Sequence, residues 1–217
     1  YWEAKALSSN KFTIGLSNVY NQFYEQPSST NVIVGHQPAA SYLYGDAVGL
    51  YADGLDKNGS SVDSSLFNSY ATGDIYAIAF DADNGKVWFA KNGTWANSGG
   101  SAGTTLDPSY HDTTVTTGHP YVACFSLETG TNWVVNFGQD DSFLGNELQG
   151  SYQDENNIGK FKYPVPNGFL ACCSSNLNDP TISPVNDELP EDHFDTLDWL
   201  GTQSSLSISG LEFAPDF

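Results

Sequence analysis

The chain has 217 residues, with 26 acidic residues against 7 basic ones and a formal net charge of −19 at pH 7. This excess of negative charge disfavours nucleic acids and anionic membranes as partners, because their phosphates reward a basic surface. No apolar run approaches the roughly 20 residues of a membrane-spanning helix. The length suffices for one β-sandwich with a small appendage. The chain contains no Met, and we expect it to be a piece of a longer protein.

Residues 1–7 alternate in a way that predicts a strand with one buried and one solvated face. The buried side chains would be Trp2, Ala4 and Ala6, and the solvated ones Tyr1, Glu3 and Lys5. Further strands are predicted at 12–16, 41–44 and 48–52, with a long loop over 19–40 and a polar loop over 53–65.

The strongest local signal lies in residues 73–95, where two apolar runs, 75–80 and 86–90, flank Asn84-Gly85. Asn92-Gly93 follows the second run. Asn-Gly is the strongest short hairpin signal because both residues tolerate positive φ. The stretch therefore predicts a three-stranded meander with two tight turns. Both faces of these strands are mostly apolar, so we expect burial on both sides, with Trp88 and Phe89 pointing to opposite faces.

Residues 96–120 form the longest irregular insertion, and loops of this length are usually functional or mobile. We expect a mobile tip at 97–103, because Gly and Ser offer many conformations. An ordered base would be anchored by Leu106, Tyr110, His111 and Val115. Beyond the insertion, strands at 121–127 and 131–138 are predicted to pair as a hairpin. A loop is predicted at 139–160, and 169–174 is either a last strand or a terminal P-x-G-F motif.

Three motifs accompany the meander in a fixed order. They are K-F-T-I-G-L-S at 11–17, a Tyr/Gly-rich middle at 42–54, and W-V-V-N-F-G at 133–138. Together they resemble the SPRY (B30.2-like) domain over about residues 1–170. The resemblance implies a bent antiparallel β-sandwich, a concanavalin-like jelly roll, that binds partners through loops and carries no catalysis. We therefore expect an all-β fold with the sandwich at 1–178 and a short C-terminal β appendage.

The C-terminal part differs in composition. Residues 179–192 hold three prolines and five acids, which is typical of a linker. Residues 193–217 suggest two short strands but are too few for a core of their own, so they would dock on the sandwich, join a neighbouring chain or begin a further module. Their F-D-T-L-D-W-L-G and S-I-S-G-L-E-F-A-P-D runs resemble a segment of tail-fibre-like bacteriophage structural proteins. This resemblance implies a virion protein of the tail or capsid surface. Its partners would be other virion subunits, further copies in a homo-oligomer, or a host-surface glycan or protein.

The sequence carries no recognisable catalytic or metal motif. D-A-D-N-G at 81–85 begins like a calcium loop, but the twelfth position is Asn92 where an EF-hand needs Glu, so we interpret it as a hairpin turn. His111-Asp112 and His119 stand without a hydrolase motif. The three cysteines, Cys124, Cys172 and Cys173, form no C-x-x-C pair. We expect no enzyme, no metal and no cofactor.

Aromatic side chains beside loops are the better candidates for binding. Tyr24, Trp95 and Tyr110 have polar neighbours, and exposed rings in such places suit sugar or protein surfaces. With His111 they are the predicted ligand contacts. Three functions stay open: a non-catalytic binding or structural module of a phage virion, a cellular SPRY adaptor that captures a short peptide, and, least favoured, a carbohydrate-active enzyme that uses two of the scattered carboxylates.

Overall fold

The computed structural model describes residues 1–8, 12–19, 46–51, 54–58, 60–63, 66–67, 71–96, 103–127 and 131–177. Two compact units divide the chain, Tyr1–Asn176 and Leu177–Phe217. The second unit falls almost wholly outside the described residues, together with the predicted linker at 179–192, the appendage at 193–217, the strand at 41–44 and nearly all of the 19–40 loop.

Eleven strands make up the regular structure of the described residues, and none of these residues is in an α-helix. In chain order they are β1 (Trp2–Ala6), β2 (Phe12–Asn18), β3 (Ala47–Tyr51), β4 (Gly54–Lys57), β5 (Ser60–Asp63), β6 (Ile75–Asp81), β7 (Lys86–Lys91), β8 (Thr94–Trp95), β9 (Thr113–Thr114), β10 (Tyr121–Leu127) and β11 (Trp133–Asn136). Sheet A runs β11-β1-β6-β7-β8, with β9 also paired to β7, and sheet B runs β10-β2-β3-β4-β5. All pairings between these strands are antiparallel, which confirms the predicted all-β sandwich. In the described part of the chain no helix has the length and hydropathy to cross a membrane.

The predicted meander is confirmed as β6, β7 and β8. Its second turn places both Asn92 and Gly93 at positive φ, 51° and 74°. The Asn92 side chain also accepts the Ile75 N–H at 2.8 Å, which ties the turn to the start of β6. At the first turn, the Asp81 carboxylate accepts the backbone N–H groups of Asp83 and Asn84 at 3.1 Å. The turn interpretation of residues 81–85 is therefore confirmed.

The main core lies between the two sheets. Sheet A contributes Tyr76, Ile78 and Phe89, and sheet B contributes Ile14, Leu50 and others from its inner face. These positions alternate along each strand, because successive side chains point to opposite faces of a sheet. This core fixes the two sheets against each other.

A second hydrophobic cluster covers the outer face of sheet A. It contains Trp88, Trp95, Ala77 and Ala79 from the strands, with Phe161 and other residues from the coil that follows β11. Trp88 is 2% exposed and Phe89 is 0% exposed, in different clusters, so their predicted burial on opposite faces is confirmed. Sheet A is thus an inner layer, with sheet B on one side and C-terminal coil on the other.

This coil overturns the prediction that β1 has a solvated face. Glu3 is 0% and Lys5 is 4% exposed, because the second face of β1 lies beneath the coil. The carboxylate of Glu3 accepts the backbone N–H groups of Lys162 (2.9 Å) and Tyr163 (3.0 Å). The ammonium of Lys5 pairs with Glu147 at 2.6 Å. The polar residues of β1 are therefore internal attachment points for the coil.

Two other predictions are wrong. Residues 121–138 do not form a hairpin, because β10 pairs with β2 in sheet B while β11 pairs with β1 in sheet A. The stretch 53–65 is largely a hairpin, β4–β5, whose turn has Asn58 at φ 51°. Of the two alternatives for residues 169–174, the strand is excluded, because these residues form no strand and a short 3-10 helix begins at Ser174 and ends at Asn176. Within the 96–120 insertion, β9 adds a short strand to β7.

Candidate functional site

The candidate site begins with two tryptophans on the outer face of sheet A. Trp88 lies near the middle of β7, and Trp95 ends the short strand β8. Both side chains are almost fully buried in the second hydrophobic cluster. They form the base on which two irregular segments rest.

The first segment is the described part of the 96–120 insertion. Gly103 and Trp95 exchange backbone hydrogen bonds at 2.7 and 3.2 Å, which returns the chain to β8. The indole N–H of Trp88 then donates to the carbonyl of Asp107 at 3.1 Å and to that of Tyr110. Leu106 is buried between these two attachments. The segment is therefore held by both tryptophans.

The second segment belongs to the C-terminal coil and contains the turn Pro166-Asn167-Gly168-Phe169. The Phe169 N–H donates to the Pro166 carbonyl at 3.1 Å, and Gly168 has φ +83°, a conformation that glycine adopts without steric cost. The turn places the Phe169 ring edge-on against Trp88, with centroids 5.5 Å apart. The two segments thus approach each other across Trp88.

Between the two segments lies a surface depression that we call the proline cleft. It consists of two adjoining hollows of about 420 and 480 Å³ that share Pro108 and Phe169. The first hollow is lined by Trp95, Thr104, Pro164, Pro166 and Asn167, among others. The second continues toward the β6–β7 turn and includes Asp81, Asp83 and Lys86. The cleft has a rigid apolar base and a partly polar rim.

The four predicted ligand contacts differ in their position relative to the cleft and in their exposure. Trp95 borders it but is only 3% exposed, so the prediction of an exposed ring there is wrong: the ring packs against Tyr1 and the C-terminal coil. Tyr110 and His111 are half-buried, and the His111 ring packs against Trp88 with centroids 6.4 Å apart. Tyr24 lies outside the described residues. The proposed ligand contact of all four stays a prediction.

Sequence reasoning missed the residues that shape the cleft, namely Pro108, Pro166 and Phe169. Pro166 and Phe169 belong to the P-x-G-F motif, which the sequence places at the end of the domain. Proline and glycine in this motif predict a turn, and an aromatic ring directly after a turn has a defined direction. Asp107-Pro108 also predicts a turn, and the Tyr110 N–H donates to the Asp107 carbonyl at 3.2 Å, but the place of this turn beside the cleft depends on the Trp88 hydrogen bonds.

Ionised groups near the cleft are mostly engaged within the protein. Burial tends to raise the pKa of Asp81, but hydrogen bonds from Asn84 and Asp83 outweigh it and lower the pKa. Asp112 behaves in the opposite way: burial raises its pKa to about 7, although the Phe89 N–H donates to it. No group of three or more His, Cys, Asp or Glu side chains in the described ranges is arranged to hold a metal ion.

Comparison with protein-family models finds no match, and comparison with curated proteins finds none.

Proposed function

We propose that the protein is a non-catalytic binding module of a bacteriophage virion, on the tail or capsid surface, and that it holds its ligand in the proline cleft. The ligand would be a host-surface glycan or protein, or another virion subunit, including a further copy of this chain. The assignment to a virion rests on the tail-fibre-like runs in 193–217. The assignment of a binding role rests on the SPRY-like motifs and on the cleft.

The observation that carries the binding role is the construction of the cleft. Its base contains buried tryptophans, and the indole N–H of Trp88 donates a hydrogen bond to one wall. The side chains of Thr104 and Asn167 on the rim are exposed to solvent. Binding sites typically combine a preformed apolar surface with a few polar groups that orient the ligand. Three prolines at the edges limit the conformational entropy that binding would cost.

The arrangement of carboxylates supports binding over glycoside hydrolysis. A glycosidase needs two carboxyl groups about 5 to 10 Å apart on either side of the bound sugar. The carboxylates at the cleft, Asp81 and Asp83, come from one turn, and the Asp81 oxygens accept three hydrogen bonds within that turn. They do not face each other across the cleft.

The test uses a double variant that blocks the rim, Thr104→Lys with Asn167→Lys. Both residues are exposed, so the fold should be retained. A matched control, Ser60→Lys with Ser61→Lys, adds the same charge on β5 of the other sheet. Wild type, variant and control are screened on glycan and peptide arrays, in a glycan-turnover assay, and for adsorption of assembled particles to host cells.

Our proposal predicts glycan or protein capture without product release, lost in the rim variant and kept in the control. Capture of short peptides alone would favour the adaptor alternative, and release of products would favour the enzyme. Unchanged capture by the rim variant would place the binding surface elsewhere. Normal adsorption of particles that carry the rim variant would contradict a host-surface ligand, and failed particle assembly would assign the cleft to packing between virion subunits.

A further inference from the structure

A carboxylate completes the outer edge of sheet A. β8 pairs with β7 around Ala90, and β9 pairs with β7 around Val87. In the gap between these two short strands the Phe89 N–H donates to Oδ2 of Asp112 at 2.6 Å. The Asp112 N–H in turn donates to the Val87 carbonyl at 3.0 Å. The Asp112 side chain therefore occupies the place of a backbone carbonyl in the ladder.

The charge of this carboxylate is poorly compensated. Oδ1 of Asp112 is buried and has no hydrogen-bond partner among the described residues. None of the ion pairs within the described ranges includes Asp112. The nearby charge that acts on it is the carboxylate of Asp63 on β5, which is of the same sign. Burial without a cation makes the ionised carboxylate unfavourable, and the negative charge of Asp63 repels it. Both the burial and this repulsion therefore favour the neutral acid.

Other ionisable groups surround Asp112. Tyr110, on the same segment, has its pKa raised by burial and by the carboxylates of Asp112 and Asp63, so it stays neutral near pH 7. His111 is the adjacent ionisable side chain. From β4, Lys57 donates to the Thr114 carbonyl at 2.7 Å, but its charge is paired with Asp46 at 3.2 Å.

The position of Asp112 matters because its segment forms one wall of the proline cleft. Thr104, Leu106 and Pro108 line the cleft and precede Asp112 by eight residues or fewer. The described part of this wall is attached at Gly103 and through the Trp88 indole. The Asp112–Phe89 hydrogen bond attaches it to β7 at its other end.

We propose that Asp112 is a pH-dependent latch on the wall of the proline cleft: the neutral acid holds residues 103–115 against β7, and the ionised carboxylate releases them. Since burial raises the pKa of Asp112 to about 7, the closed wall binds the proton more tightly than the open one. The stabilisation of the closed wall is complete below the ordinary Asp pKa of 3.8 and is lost as the pH rises through about 7. The latch concerns the wall itself, so it stands independently of which ligand the cleft holds.

The experiment is amide hydrogen exchange of the full chain at pH 5 and pH 8, corrected for the intrinsic effect of pH on exchange. Protection within 103–115 should fall about tenfold or more at pH 8, because each unit of pKa difference is worth a factor of ten in an equilibrium constant. Protection of β6 should not follow this trend. The isosteric variant Asp112→Asn cannot ionise, so its wall should be equally protected at both pH values.

Two further variants separate Asp112 from its neighbours. His111→Gln should keep the full pH effect, and loss of the effect in this variant would assign the switch to the imidazole and overturn the proposal. Asp63→Asn removes the like charge, so the midpoint of the transition should move to lower pH, while Glu155→Gln, an equal charge change at an exposed site, should leave it in place. A midpoint unmoved by Asp63→Asn, or a wild-type wall with no pH effect, overturns the latch even if Asp112→Asn fails to fold.

Discussion

Trp88 donates its indole N–H to the backbone carbonyl of Asp107, 19 residues further along the chain, at 3.1 Å. This bond connects the most buried part of β7 to a segment without regular secondary structure. Tryptophan is suited to the role because one end of the ring is apolar and the other donates a hydrogen bond. The wall of the proline cleft is therefore positioned by the core itself.

We expect Trp88→Phe to loosen this wall while keeping most of the packing. The Asp107 and Tyr110 carbonyls lose their shared donor, which should cost about 1 kcal/mol of unfolding free energy beyond the smaller ring volume. Hydrogen exchange should speed up in residues 103–112 more than in β6. Equal acceleration throughout sheet A would show that the indole N–H has no local role.

Truncation of the adjacent residues Trp88 and Phe89 probes the two hydrophobic clusters separately. Each change to Ala should cost about 3–5 kcal/mol in urea unfolding, because both side chains are almost fully buried and the surrounding structure collapses only partly into the space they leave. Thr114→Ala, at an exposed position of the neighbouring strand β9, is the control and should change stability by less than about 0.5 kcal/mol. A loss below about 1 kcal/mol at both buried positions would contradict the layered architecture.

The meander could be predicted because all its signals are local. Two apolar runs and two Asn-Gly turns specify β6, β7 and β8 without reference to the rest of the chain. Another Asn-Gly begins at Asn58, between β4 and β5, but the strands that flank it are polar and show no matching hydrophobic pattern. Local signals do not specify the sheet to which a strand belongs. β10 and β11 lie in different sheets because each pairs with a strand more than 100 residues away.

The candidate site was only partly predictable for a related reason. The insertion was identified by its length, and the burial of Leu106 and Val115 confirms them as anchors of its base. The predicted tip at 97–103 falls outside the described residues except for Gly103. The sequence predicts an exposed Trp95, because the coil that covers this ring has no periodic hydrophobic pattern. An irregular segment has no hydrophobic periodicity from which it could be predicted, although it can bury the face of a sheet as completely as a strand does.

Glu3 should make stability depend on pH in a defined direction. Burial raises its pKa, and the hydrogen bonds from Lys162 and Tyr163 only partly oppose this. A raised pKa in the folded state means that the stabilisation is present below the ordinary Glu value and is lost as pH rises through the folded value. The isosteric variant Glu3→Gln should therefore lose less stability than wild type between pH 5 and pH 7.

The measurement is urea unfolding at both pH values, with Asp83→Asn as the exposed control. Glu3→Ala should be destabilised at both, by at least about 2 kcal/mol, since it leaves buried N–H groups without an acceptor. Parallel pH profiles for wild type and Glu3→Gln would contradict the assignment.

Alanine substitutions at two glycines with similar backbone conformations allow the cost of backbone strain to be distinguished from the cost of a steric clash. Gly93 (φ +74°) and Gly118 (φ +78°) both adopt the left-handed region, but a Cβ at Gly93 would lie 2.5 Å from the Tyr163 ring, whereas nothing lies within 4 Å at Gly118. Gly118→Ala should cost about 1–2 kcal/mol from strain alone. Gly93→Ala should cost about 1–3 kcal/mol more because Tyr163 must move. Thermal melts of the two variants, compared directly, check the difference.

The net charge of −19 should make the protein respond to salt. Screening shortens the reach of charge repulsion from about 30 Å at 0.01 M salt to about 10 Å at 0.1 M. The melting temperature should therefore rise between these NaCl concentrations, and micromolar calcium should add nothing. A calcium-specific rise that a chelator reverses would instead indicate that Asp81 and Asp83 bind the ion.

The hydrogen bonds from Lys162 and Tyr163 to Glu3 span 159 and 160 residues of sequence. β1 also lies inside sheet A, between β6 and β11, so its place in the sheet is completed only by later parts of the chain. At about 5–20 residues per second, a ribosome needs roughly 8–32 s to make that intervening chain. During that interval β1 can pair with β6 as soon as residue 81 has been made, but the carboxylate of Glu3 still lacks the donors from Lys162 and Tyr163. The order of synthesis therefore makes the covering of the second face of β1 by the C-terminal coil a late step in the formation of this fold.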